Sequence, residues 1–355
     1  MSAAMLEAAD EMAAQEALHA LGCTDGLPVI VPTPERVARM VLASGLDGDI
    51  ELGTMGPGHG VATVEKVACA AVMAGCLPDH MPVVAAAVRA VCEPVFDLTE
   101  MQATTHCIAP MIVVNGSARM AGGYAGGFGL MGPGHRANLC TGRALRLAMM
   151  NIGSARPGES DMAIHGSPAK LSLCFAEDEE SSPFPPLSTT FGHAPGAAAV
   201  TVLGVEGPHS VLFSGDADAP ASAEALLDLL AMVISNRGSN NSYLGGHAAV
   251  AVVLNPEHAA VLARHGYDRA RIQQALAARA VTPRHELARL NGKMLQGEGD
   301  PVPAVREPAN ILLLVAGAPG LYSVVMPSWC AGPHGNLAVH AAVELGQACE
   351  LPGAG

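Results

Sequence analysis

The chain has 355 residues, half of them apolar but only 3% aromatic, and carries a formal net charge of −14 at pH 7. This length predicts two domains or one large α/β unit whose core is built from Ala, Val, Leu, Ile and Met. The acidity argues against a nucleic-acid partner, because phosphate binding needs clustered Lys and Arg.

Met1 to Gly22 carries Glu7, Asp10, Glu11 and Glu16 and no early Lys or Arg, the reverse of a secretory leader. Its apolar residues fit an amphipathic helix that packs on the body or on a second copy, so a homo-oligomer is expected. Nine scattered cysteines predict free thiols in a reducing cytoplasm. Leu27–Val31 reads as a short strand, and Thr33-Pro34-Glu35 caps a helix to about Ser44. Helices follow from Thr63 to Gly75 and from Asp79 or Pro82 to Val91. Met111–Val114 is β-branched and reads as a buried strand. Gly122 to Gly134 is glycine-dense and without regular pattern, Arg136–Ile152 is helical, and Leu171–Ala176 is a short strand.

Ser182 to Leu187 holds three prolines and cannot be regular structure. It marks a connection at 181–196 between an N-terminal α/β lobe, 1–180, and a C-terminal α/β lobe, 197–355. The second half predicts strands at Ala198–Leu203, Ser210–Phe213, Ala248–Leu254, Ile311–Ala316 and Tyr322–Met326, and helices at Ser222–Ile234, Pro256–Arg264 and Arg269–Ala280. The longest apolar runs, Ala248–Leu254 and Ile311–Ala316, are far too short to span a membrane. Val31 to Asp47 echoes Leu254 to Asp268, each as strand, Pro-Glu cap, helix and Gly-x-Asp. The expected fold is α/β: two related lobes with mixed or mainly parallel sheets and glycine-rich loops at the cleft.

Met-Gly-Pro-Gly-His occurs at Met55–His59 and again at Met131–His135, and Ala331-Gly332-Pro333-His334-Gly335 is a third relative. Glycine permits close backbone approach, and a helix start presents unpaired N–H groups. Gly58, His59, Gly134 and His135 are therefore candidate binding residues for an anion, although Gly-Pro pairs are also ordinary punctuation. Arg136, Asn138 and Arg143 open the helix behind the second loop, and two arginines there suit a carboxylate or phosphate. Pairing with the chain's own acids is the competing role. Lys66 lies one turn from Cys69 and favours its thiolate. Cys76 stands at a helix end beside Pro78, where exposure would make it a nucleophile; burial would make both cysteines packing residues. Thr104, Thr105 and His106 form a polar approach to the strand at Met111, with His106 as a general base, a ligand or a hydrogen-bonded turn histidine. Glu177-Asp178-Glu179-Glu180 reads as a solvated loop, or else as a hard-cation site or a buried acid with raised pKa. No nucleotide fingerprint, Walker loop or zinc spacing is present, so no cofactor and no metal site is assigned.

Several stretches resemble an uncharacterised bacterial protein family. They are Asp25-Gly26-Leu27-Pro28-Val29, Pro32 to Val37, Thr63-Val64-Glu65-Lys66, Ala71 to Cys76 and Gln102-Ala103-Thr104-Thr105-His106. Arg136-Ala137-Asn138 and Gly142 to Leu147 also fit, and the likeness continues through Asn151, Gly153, Pro157-Gly158-Glu159 and Asp161 to Pro168, Lys170 and Ala176-Glu177. The chain departs from that pattern at Ala169, Phe184, His59 and His135. The resemblance implies no established reaction. It does imply an association of some relatives with small thiol or selenol proteins bearing a Cys-Gly-Ser-Cys motif.

These readings converge on an enzyme of small-molecule metabolism acting on an anionic, carboxylate-like substrate by hydrolysis or carbon–heteroatom cleavage. Two alternatives stay open. One is a non-catalytic ligand-binding subunit of a complex with a thiol or selenol protein. The other is a metal-dependent hydrolase using dispersed His and acidic residues.

Overall fold

The computed structural model describes residues 4–244 and 249–345. In chain order the helices are α1 Glu11–Ala20, α2 Pro34–Ser44, α3 Val64–Ala74, α4 Met81–Val91, α5 Leu98–Ala103, α6 Ser117–Gly122, α7 Arg136–Asn151, α8 Pro220–Ile234, α9 Asn240–Tyr243, α10 Pro256–Arg264, α11 Arg269–Arg279 and α12 Arg284–Asn291. The strands are β1 Glu51–Met55, β2 Gly60–Thr63, β3 Ala109–Asn115, β4 Cys174–Ala176, β5 Ala199–Val205, β6 His209–Leu212, β7 Val250–Leu254, β8 Val281–Thr282, β9 Val302–Pro303, β10 Ile311–Val315, β11 Tyr322–Pro327 and β12 Val339–Ala342.

Two four-stranded mixed sheets, β12-β5-β3-β4 and β10-β7-β11-β6, form the centre of an α/β fold. Alternate residues of each strand divide between layers. Ile112, Val114, Val200 and Val202 face the apolar side of α3, α4 and α7. Val252, Leu254, Leu313 and Val315 face α8, α10 and α11. Met111, Val113, Leu203 and Val205 meet Ala251, Val253, Leu312 and Leu314 between the sheets. The layers are helix, sheet, sheet, helix. Burial on both faces explains why these strands read as continuous apolar runs rather than alternating ones.

The two sheets repeat one topology. In the first, β3 runs parallel to β4 and antiparallel to β5, and β5 runs antiparallel to β12. In the second, β7 runs parallel to β10 and antiparallel to β11, and β11 runs antiparallel to β6. Each edge strand is exchanged: β6 follows β5 but completes the second sheet, and β12 follows β11 but completes the first. The two crossings meet where Val205 bridges Ser328 and Glu206 N–H donates to the Pro327 carbonyl.

This arrangement revises the expected organisation in three places. The 181–196 segment lies inside the first repeat, and the joint between repeats falls at 213–219, between β6 and α8. The repeat also does not run through 31–47: Leu27–Val31 is extended chain outside any sheet, with Ile30 N–H donating to the Met73 carbonyl. The matched segments are Ile112-Val113-Val114-Asn115 and Val252-Val253-Leu254-Asn255, followed by Gly207-Pro208-His209 and Gly332-Pro333-His334. At the N-terminus the helix is shorter than expected. It begins at Glu11, capped by the Asp10 carboxylate, and buries only Ala14; residues 1–3 lie outside the described residues, as does Ala248 of the strand at 248–254. No helix among the described residues is long and apolar enough to cross a membrane.

Candidate functional site

The repeated Gly-Pro-Gly-His loops do different structural jobs. Met55–His59 turns the β1–β2 hairpin, and α3 starts only after Thr63 caps it. Its glycines answer to packing. A Cβ at Gly56 would lie 1.9 Å from Thr99 Oγ1, one at Gly58 2.6 Å from Ser154 Oγ, and one at Gly60 2.0 Å from the Ile152 carbonyl. His59 is exposed with a positive φ of 55°. At the second loop Gly134 has φ 116° and open space beside it, and His135 Nε2 meets the Phe128 carbonyl at 2.8 Å. Asn138 is buried and ties down the glycine-dense segment, accepting from Ala125 N–H and donating to the Ala125 and Leu130 carbonyls. The third loop does enclose a carboxylate, but the chain's own: Asp97 accepts from the backbone of His334 and Asn336 at 3.0 Å each and meets His334 Nδ1 at 2.7 Å.

The expected arginine pair bonds internally. Arg136 donates through Nε and Nη2 to the Gly75 carbonyl, at 3.0 and 2.9 Å, closing the end of α3. Arg143 grips the buried Asp25 carboxylate through two bonds of 2.7 and 2.8 Å and also donates to the Pro28 carbonyl. Burial opposes the charge on Asp25, but the hydrogen bonds and charge of Arg143 hold it below its ordinary value. Arg143 is taken up by Asp25, while Arg136 remains exposed beside its Gly75 contact.

The thiol expectation is likewise corrected. Cys76 is 6% exposed, and burial pushes its thiol well above the ordinary value despite Arg136 and Arg143 nearby. It is a packing residue. Cys69 rises to about 11 through burial and the charge of Glu65, while Lys66 donates to the Val61 carbonyl at 2.8 Å and belongs to the hairpin. Native-state iodoacetamide labelling should therefore reach the half-exposed Cys23 and Cys107 well before Cys76, Cys174 and Cys330. Peptide mass mapping over time checks this order, and early labelling of Cys76 would restore it as a nucleophile.

His106 is 23% exposed in its side chain and sits where the two repeats meet. The Asn240 amide donates to its Nδ1 at 3.1 Å and to the Trp329 carbonyl at 2.9 Å, and its Nε2 faces Glu206 Oε1 at 3.2 Å. The amide fixes the ring so that Nε2 carries the proton toward the carboxylate. Thr104 Oγ1 accepts from His106 N–H, and the Thr105 carbonyl accepts from Ile164 N–H, so these two threonines shape the turn. The acidic run divides: Glu177 is fully buried, accepting from Asn115 at 2.6 Å and Leu187 N–H at 2.7 Å, whereas Glu180 pairs with Arg119. No cluster of three metal-ligating side chains occurs among the described residues.

Sequence reasoning missed a cavity beside α7. It measures about 510 Å³, a size suited to a small metabolite, and is lined by Arg146, Arg156, Glu159, Asp161, Lys170 and the turn at Thr24–Gly26, among others. Arg146 projects from α7 one turn after Arg143 and faces inward. It donates to Gln102 Oε1 at 3.0 Å and to Asp161 Oδ2 at 2.9 Å. Lys170 donates to the other carboxylate oxygen of Asp161 at 2.6 Å. These side chains are only 8%, 3% and 11% exposed for Arg146, Asp161 and Lys170 respectively, so two cations share one carboxylate in a nearly dry floor. Burial works against the Asp161 charge, yet Lys170 and Arg146 hold its carboxyl below the ordinary value. Arg156 lines the same space, and its guanidinium makes no hydrogen bond or ion pair among the described residues. Glu159 stands exposed at the rim. The available signal was the charge pattern from Arg146 through Glu159 and Asp161 to Lys170.

No protein-family model and no curated protein matches the chain.

Proposed function

We propose that the protein is an enzyme of small-molecule metabolism that takes a carboxylate-bearing substrate in the Arg146–Arg156–Lys170 cavity. One observation carries this reading: an unpaired guanidinium, Arg156, overlooks a floor in which Arg146 and Lys170 outnumber Asp161. A site of that kind attracts an anion, because a buried excess of positive charge is relieved by a ligand of opposite sign. The hydrogen-bonded Lys170–Asp161 couple supplies a proton-transfer pair next to the bound anion. Such a pair serves carbon–heteroatom cleavage better than hydrolysis through an activated side chain, since the Cys76 thiol lies elsewhere and is protonated.

Calorimetric titration with acetate, pyruvate and malonate tests the site. Binding by the unaltered protein is expected, and Arg156→Ala should weaken it at least about tenfold, the loss of one charge-assisted contact. The substitution touches no internal partner, so the melting temperature without ligand should stay unchanged. Equal affinity in the variant, or no binding of any of the three acids, would overturn the placement.

A further inference from the structure

We propose that Lys170 forms a Schiff base with the keto carbon of a 2-oxo carboxylate whose carboxylate is held by Arg156. This rests on the anion-binding reading of the cavity and deepens it by naming the substrate class and the reacting atom. The chain contains sixteen arginines and only three lysines, Lys66, Lys170 and Lys293. An arginine would hold the inner carboxylate with more bonds and a fixed charge, as Arg143 holds Asp25. The floor carries an amine instead, and an amine is the one cationic group that can lose its proton and attack a carbonyl.

The surroundings favour that loss. Asp161 already satisfies Arg146 through Oδ2, so the Lys170 ammonium is the second cation on a single carboxylate. Burial and the charge of Arg146 lower the Lys170 ammonium below its ordinary value, against the pull of Asp161. The geometry also supplies the proton acceptor. At 2.6 Å, Asp161 Oδ1 takes a proton from the ammonium and leaves the neutral amine. The Nζ lone pair then bonds to the keto carbon while the carbonyl π electrons move to oxygen, giving a carbinolamine after proton transfer from nitrogen to oxygen. Asp161 returns its proton to that hydroxyl, the C–O bond breaks, and water leaves as the protonated imine forms. Amine, ketone and one proton become iminium and water, with no oxidant or reductant. The iminium draws electrons from the neighbouring carbon, so loss of a proton there sets up expulsion of a heteroatom leaving group one carbon further along. That is the carbon–heteroatom cleavage of the proposed function.

Reductive trapping decides the matter. The full-length protein is incubated in turn with pyruvate, 2-oxobutyrate, 2-oxoglutarate and phenylpyruvate in the presence of cyanoborohydride, and its peptides are mapped by mass. With at least one acid, Lys170 should carry about tenfold or more the reduced adduct found on Lys66 and Lys293, because it alone lines the cavity that holds the acid beside an amine. Lys170→Arg should abolish the adduct while calorimetry still registers binding of the same acid. Binding without preferential modification of Lys170 would overturn the Schiff base and leave the anion site standing. If none of the four acids binds, the cavity reading and the Schiff base fall together.

Discussion

Asp161→Ala is expected to cost about 3–5 kcal/mol of folding stability at neutral pH, because it leaves two cations buried without their shared partner. In the native protein the carboxylate accepts from Arg146 at 2.9 Å, from Lys170 at 2.6 Å and from Ala163 N–H at 3.2 Å, with its side chain 3% exposed. Removing it leaves those charges in a nearly dry place, which is far more costly than losing a surface ion pair. The pH dependence has a definite sign. The native Asp161 carboxyl titrates below its ordinary value of 3.8, so its contribution is fully present above that value and is lost as pH falls through the native one. Urea denaturation of both proteins over a pH series measures this directly. The gap between them should be constant near neutrality and should close in acid. A gap under about 1 kcal/mol at neutral pH would mean that the floor relaxes or hydrates without its carboxylate.

Asp97→Ala is the second large effect expected, again about 3–5 kcal/mol, by a different route. Asp97 is 4% exposed and accepts two backbone N–H bonds from the Ala331–Gly335 turn and its following residue, besides facing His334 Nδ1. Alanine would orphan the N–H groups of His334 and Asn336. It would also have to adopt the positive φ of 54° that Asp97 holds, a conformation that asparagine and aspartate tolerate best. Asp97→Asn keeps that tolerance and one acceptor oxygen, so a loss of about 1–3 kcal/mol is expected. Equal urea midpoints for Asp97→Ala and the unaltered protein would show that the turn stands without its anion. The substitution also reports on the crossing after β11, since this turn carries the chain from the second sheet to the first.

Local rules made a good part of the chain legible. Helices α2 and α3 were readable because Thr33 and Thr63 cap them and Gly45 and Gly75 close them in left-handed conformation. The central strands were readable because apolar runs buried on both faces leave no other assignment. The β1–β2 hairpin was not, since its tip copies a sequence that elsewhere precedes a helix, and only contact with Thr99 and Ile152 fixes it as a turn. The internal repeat was present in Ile112–Asn115 and Val252–Asn255 and in the two Gly-Pro-His crossings. Without strand pairing, the Pro-Glu helix starts offered an equally good but different alignment.

For the site, the sequence alone determined that the chain is acidic, rich in glycine turns and sparing in lysine, with five of its nineteen cations, Arg136 to Lys170, on α7 or between it and β4. It could not decide which cations are spent. Arg136, Arg143 and Arg146 lie on one helix, and Arg143 and Arg146, three residues apart, are near neighbours on its surface. Tertiary packing brings Gly75 to the first, Asp25 to the second and Asp161 with a cavity to the third. A charge's partner is set by segments distant in the chain and by how much water remains around it. Among the described residues Arg156 has no side-chain partner and Lys170 is crowded for that reason, and neither state can be read from neighbours in sequence.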